Sequence, residues 1–243
     1  PRLEAAGDQL FLIRPRRIGK SLLQSVMECY YDQNRANQFD ELFGDTWIYD
    51  HPTEERHQYL VLRFDFSLVH GVGQELRQSF EDYIRLTIEA FCRYYPTIIS
   101  VAETQEILSE PYAHKKFNKL LYLLNSKGEQ LYLFIDEYDN FANTLLSTEG
   151  REAYQQLTRG RGFLRDFFAE LKGATGSTGG ALSRLFITGV SPVTMDDVTS
   201  GFNIGLNISL DPDFNALLGF TEAEMTTLFD AFGQDYAAHQ VLM

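Results

Sequence analysis

The chain has 243 residues, 44% hydrophobic and 14% aromatic, enough for one sizeable α/β core. Its 21 basic residues face 34 acidic ones, and a net charge of −13 excludes non-specific DNA or RNA binding by this segment. No apolar stretch approaches the roughly 20 residues of a membrane span and no basic-then-apolar leader opens the chain, so the expectation is a cytoplasmic protein with no membrane partner.

In chain order, the short apolar run Leu10 to Ile13 predicts a buried strand, and it feeds the loop Arg14, Pro15, Arg16, Arg17, Ile18, Gly19, Lys20, Ser21. Gly-Lys-Ser at the start of a helix is the closing half of a phosphate-binding loop. Gly19 allows backbone N–H groups close to phosphate oxygens, Lys20 offers charge to β- and γ-phosphates, and Ser21 offers a hydroxyl to Mg²⁺. The usual first glycine falls on Arg14, so the motif alone is weak. Three arginines beside Gly-Lys-Ser read either as a solvated basic turn or as a cluster that needs an anion to relieve its repulsion.

Leu22, Leu23, Val26, Met27 and Tyr30 recur at helical spacing and predict one buried stripe after the loop. Residues 32–58 read as loops and short turns. Tyr59 to Phe66 predicts a second strand, ending near Asp65 and Ser67. A long helix follows from Gln74 to Tyr95, with Leu76, Phe80, Tyr83, Ile84, Ile88, Phe91 and Tyr95 on one face and Pro96 as its stop. Another helix is expected near Tyr112 to Leu124.

Leu131 to Ile135 is a β-prone run ending in Asp136-Glu137. It reads either as a core strand whose acidic end meets solvent or as the strand that holds Mg²⁺ through Asp136, with Glu137 placed to activate a water. Residues 151–172 predict a helix stopped by Gly173, and Gly173 to Gly180 predicts a flexible loop. Arg184 to Val190 and Ile204 to Leu210 predict the fourth and fifth strands, and Thr221 with Glu224 predicts a capping box for a last helix through about Phe232. Cys29 and Cys92 read as small apolar fillers, and the five histidines lack metal-ligand spacing. Strands alternating with helices predict an α/β fold with a five-stranded parallel sheet and helices on both faces. Gly19 to Ser21, Asp65, Asp136, Glu137 and Thr188 would then gather at the strands' C-terminal edge, where such sheets bind ligands.

The runs RPRRIGKS, LYLFIDEYD (Leu131–Asp139), FITGVSP (Phe186–Pro192) and SLDPDFNALLGFTEAE (Ser209–Glu224) resemble the prokaryotic AAA-ATPase-like family across nearly the whole chain. The resemblance implies a P-loop NTPase fold of the additional-strand type, with the Thr188 strand between those of Lys20 and Asp136. It implies ATP and Mg²⁺ as cofactors. Lys20 would sit on the phosphates, Ser21 and Asp136 on the metal, Glu137 would serve as base and Thr188 as polar sensor, with Ser191 as the competing candidate and an ordinary strand threonine as the alternative. Asp65 reads as a loop cap first, with the metal's water shell as the alternative, and Asp139 as a brace for the turn after Glu137. Residues 1–210 would form the core and 211–243 the beginning of a helical lid. The resemblance also implies a fused or partner nuclease-like domain of the PD-(D/E)XK type, and a start at Pro1 suggests a trimmed chain. Val193 to Ile204 offers no arginine finger, Arg159, Arg161 and Arg165 are weak substitutes, and the oligomeric state stays open. Slow Mg²⁺-dependent ATP hydrolysis leads the expectations, ahead of a nucleotide-gated switch or scaffold and a small-molecule kinase.

Overall fold

The computed structural model describes residues 1–140, 162–176, 179–191 and 205–233. Within them the apolar runs become five parallel strands: β1 (Gln9–Ile13), β2 (Leu60–Asp65), β3 (Leu131–Asp136), β4 (Leu182–Gly189) and β5 (Leu206–Asn207). They form one sheet in the order β2-β3-β4-β1-β5, so the Thr188 strand does lie between the Lys20 and Asp136 strands. The helices are α1 (Arg2–Ala6), α2 (Lys20–Tyr31), α3 (Phe39–Phe43), α4 (Trp47–Asp50), α5 (Gly73–Tyr94), α6 (Val101–Leu108), α7 (Ala113–Ser126), α8 (Phe163–Thr175) and α9 (Glu222–Ala231).

Strand order decides which face each helix takes. The chain crosses the sheet one way from β1 to β2 and returns through β3 to β4. Right-handed crossovers then put the first connection and the later ones on opposite faces. Accordingly α2 packs with Leu12, Phe134 and Phe186 on one face, while α5, α7 and α8 pack on the other. The second face is held by aromatic rings: Phe80 and Phe167 lie 5.3 Å apart, Phe64 and Phe167 5.8 Å, Phe64 and Phe117 6.0 Å between centroids. Such pairs add about 0.5–1.5 kcal/mol each beyond their buried area, which makes this layer the rigid backing of the sheet.

Central and edge strands differ as their positions require. All six residues of β3 are buried, whereas β2 alternates buried and half-buried positions. The outer edge of β2 is covered by tyrosine hydroxyls. Val61 N–H donates to Tyr95 Oη (2.8 Å) and Asp65 N–H to Tyr83 Oη (2.6 Å), while Leu60 N–H, pointing inward, donates to Gln130 O (2.9 Å).

Several expectations need correction. In the expected stripe of α2, Met27 and Tyr30 are buried, but Leu22 is 69% and Val26 46% exposed, and Lys20, Gln24 and Tyr31 take the buried positions in their place. The cause is that α2 has to aim its first polar side chains at the sheet's rim. Gly173 does not stop α8, which runs to Thr175 with Gly176 as its cap, so the first part of the expected flexible loop is helical. Residues 32–58 hold a 3₁₀ turn, α3 and α4 rather than loops alone. α6 was not anticipated; it opens with a full capping box between Ser100 and Glu103. β5 has two residues, Ile204 lies outside the described part, and so do Arg159, Arg161 and Val193. The Thr221–Glu224 capping box of α9 is present as expected. No described helix is long and apolar enough to cross a membrane.

Candidate functional site

Gly19 caps α2 with φ 97°, a left-handed conformation that a side chain would strain, and this turn brings Lys20 to the first helical position. The N-terminal end of α2, where backbone N–H groups lack partners and the helix dipole is positive, therefore opens at the C-terminal end of β1. Lys20 is 5% exposed, and its Nζ donates to Arg14 O (3.0 Å) and Pro15 O (2.8 Å). The loop thus curls round its own lysine, and an entering anion has to exchange those two carbonyls for its own oxygens. Pro15, Arg16, Arg17 and Ser21 are exposed and Ile18 is half-buried. Arg17 has φ 65°, a second left-handed residue in the loop.

Arg14 lies apart from this group. Its guanidinium donates to Ile13 O (3.2 Å), Ser209 O and Phe214 O (3.5 Å), and Ser209 Oγ accepts from Ile13 N–H (2.7 Å). Three carbonyls answer the charge that seemed to need an anion. Among the loop's named residues, Arg14 contributes its carbonyl to the lysine and its side chain to the segment after β5.

The second half of the site is the end of β3. Parallel register sets Asp136 beside Asp65, and β4 brings Thr188 level with Leu12 of β1. Asp136 is 1% exposed and almost saturated. Its Oδ1 accepts from Thr188 Oγ1 (2.5 Å) and Glu137 N–H (3.0 Å), and its Oδ2 pairs with Arg63 Nη2 (2.9 Å). Gln24, one helical turn past Lys20, joins the two halves. Its Nε2 donates to Ile135 O (3.2 Å) and Thr188 Oγ1 (3.0 Å), while its buried Oε1 has no partner. The Thr188 hydroxyl therefore accepts from α2 and donates to Asp136.

Glu137 sits at the rim with φ 52°, half-buried. Burial, followed by the neighbouring Asp136 charge, raises its carboxyl above the ordinary glutamate range, and Lys20 and Arg16 pull it back. A carboxylate with a raised pKa is a stronger proton acceptor, and it lies within the field of the loop's cations. Asp139 ties the turn after β3 to the exit of β4: it accepts from Val190 N–H (3.1 Å) and Ser191 N–H (2.6 Å). That brace needs Gly189, because a Cβ there would enter the Tyr138 ring. Ser191 has its N–H on Asp139, and its carbonyl accepts from Tyr138 Oη. Asp65 Oδ1 caps the turn at Ser67, accepting from its N–H (3.0 Å) and Oγ (2.6 Å).

The structure thus brings Lys20, Gln24, Asp136, Glu137 and Thr188 to one rim, and leaves Arg14 and Asp65 to structural bonds. Gln24 and Arg63 escaped the sequence reading. Gln24 carried a signal, four residues after Lys20 on the same helical face, and so did Arg63, a basic residue in the middle of a mainly apolar strand.

A curated protein from Azotobacter chroococcum mcd 1, described as an uncharacterized protein in the vnfD 5′ region, is 25% identical over 230 residues, covering 92% of this chain. The chain spans 38% of that relative's length. No solved structure matches. The family model described as predicted AAA-ATPase, AAA-ATPase-like, matches residues 1–199, and the chain belongs to that family.

Proposed function

We propose that this rim binds ATP with Mg²⁺ and hydrolyses it slowly, in a P-loop NTPase fold of the additional-strand type. Family membership supports nucleotide binding in general. The observation that carries the finer reading is the convergence of Lys20 with the Asp136–Glu137 pair, joined through Gln24 and Thr188. Gly19 and the first N–H groups of α2 would cradle phosphate oxygens, with Lys20 leaving its two carbonyls for the β- and γ-phosphates. Glu137 would take the proton of an attacking water. Thr188 would act on the reaction through Asp136, whose orientation its hydroxyl fixes.

Magnesium bound with a nucleotide takes one or two protein oxygens and keeps several waters. The donors fit that demand: Ser21 is exposed on the first turn of α2, and Asp136 holds three hydrogen bonds against about four lone-pair sites. Bound there, the ion would neutralise charge on the β- and γ-phosphates. Residues 1–210 would form the nucleotide-binding core, and 211–243 the beginning of a lid rooted by the Arg14 bonds to Ser209 and Phe214. The acceptor-binding carboxylate that a small-molecule kinase would need is, at Asp65, used to cap a turn.

Lys20→Ala should abolish the rise in melting temperature that Mg²⁺ and ATP give the wild-type protein. An unchanged shift in that variant would remove the site.

A further inference from the structure

Arg63 stands on β2 and reaches along the sheet to a neighbouring strand. Its Nη2 pairs with Asp136 Oδ2 at 2.9 Å, and its Nη1 turns to α2, to Glu28 Oε1 at 3.1 Å and Ser25 Oγ at 3.2 Å. Ser25 Oγ in turn donates to Ser21 O (3.0 Å). One guanidinium therefore spans the helix that carries Lys20 and Ser21 and the carboxylate proposed for the metal. Its Nε is buried with no partner. Its location is set by the two carboxylates, Glu28 and Asp136, on either side of it.

We infer that Arg63 is a positioning residue that occupies Asp136 Oδ2 in competition with the divalent cation of a bound nucleotide, and so sets how much the metal adds to nucleotide affinity. The inference rests on the nucleotide reading above. It follows from charge and valence. With Thr188 and Glu137 on Oδ1 and Arg63 on Oδ2, the carboxylate holds its geometry and its negative charge is already answered. A dication that approaches the one open lone pair of Oδ2 meets the fixed positive charge of Arg63 beside it, and it binds there more strongly if Arg63 gives way. Glu28 is the alternative seat: it already holds Nη1 and can retain the guanidinium when Asp136 is released.

The test is calorimetry with a non-hydrolysable ATP analogue, once with Mg²⁺ and once with EDTA. The dissociation constant in EDTA divided by that in Mg²⁺ is the coupling between metal and nucleotide. A general loss of anion affinity on removing a cation cancels in this ratio. Arg63→Gln should raise the ratio by about tenfold, the order expected for removing one unit charge near a surface site. Arg63→Lys should stay within about twofold of wild type. An unchanged or lower ratio in Arg63→Gln overturns the inference. Should that variant fail to fold, Glu28→Gln, which leaves Arg63 with Asp136 as its sole carboxylate, should lower the ratio by about threefold; an unchanged or higher ratio overturns it equally. Absence of any analogue binding by the wild-type protein defeats the nucleotide reading itself, a result distinct from a normal wild-type ratio that the variants leave unmoved.

Discussion

Two arginines lie against carboxylates at opposite ends of the sheet, and they are built differently. Arg184, at the start of β4, has every nitrogen engaged: Nε with Tyr59 Oη (3.2 Å), Nη1 with Gly7 O (3.2 Å), Nη2 with Glu55 and with Asp8 at 3.8 Å. Arg63, toward the other end, is engaged through both Nη atoms and leaves Nε unpaired. The first is a closed knot that ties β4 to α1's exit and to the segment before β2. The second is an open one beside an exposed rim. Among the described residues, two of the three buried side-chain polar atoms without a partner, Arg63 Nε and Gln24 Oε1, lie toward the rim, while the third, His57 Nε2, lies just before β2.

The sharpest way to break this contrast is to change the rim and look for a purely chemical loss. Glu137→Gln should bind nucleotide normally and lose turnover by about two to four orders of magnitude in a phosphate-release assay. In the wild type the acid limb of the rate should lie above the usual glutamate range, because burial raises Glu137. Rate falls as pH drops through that raised value and the base becomes protonated, and Glu137→Gln should lack this limb. At the other end the loss should be structural. Arg184→Ala leaves Glu55 without its counter-ion and should lower unfolding free energy by about 3 kcal/mol or more in urea titration, with analogue affinity unchanged in the folded protein. A variant that kept its stability and lost nucleotide affinity would reverse the assignment of the two ends. The smallest effect belongs to the backing. Tyr83→Phe removes one hydroxyl from Asp65 N–H and should cost about 1 kcal/mol of stability, again by urea titration.

The sequence displayed the sheet well because its central strands are buried on both faces and read as unbroken apolar runs, Leu131 to Ile135 above all. The caps at Thr221 and Ser100 were both written in local spacing, although only the first was picked out. The site was legible where chemistry dictates residue type, at Gly19, Lys20 and Asp136. It was hidden where polar groups occupy positions that periodicity assigns to apolar ones. The stripe of Leu22 and Val26 looked like the buried face of α2, yet burial went to Lys20 and Gln24, which have partners at the rim. Arg63 hid inside YLVLRFDF, whose alternation sends it toward solvent; its bond to Asp136 depends on which strand lies beside β2. Nearest-neighbour spacing does not carry that information.

The tyrosines along β2 have a consequence beyond this molecule's own stability. An open strand edge invites another chain to extend the sheet, and here two alternate outward N–H groups are already taken by Tyr83 and Tyr95. Tyr95 is itself anchored by donating to Asp32 Oδ1 at 2.8 Å. On the opposite edge β5 offers two residues, too few for a stable intermolecular ladder. Tyrosine hydroxyls on one margin and brevity on the other leave the described sheet little open edge for another chain to extend.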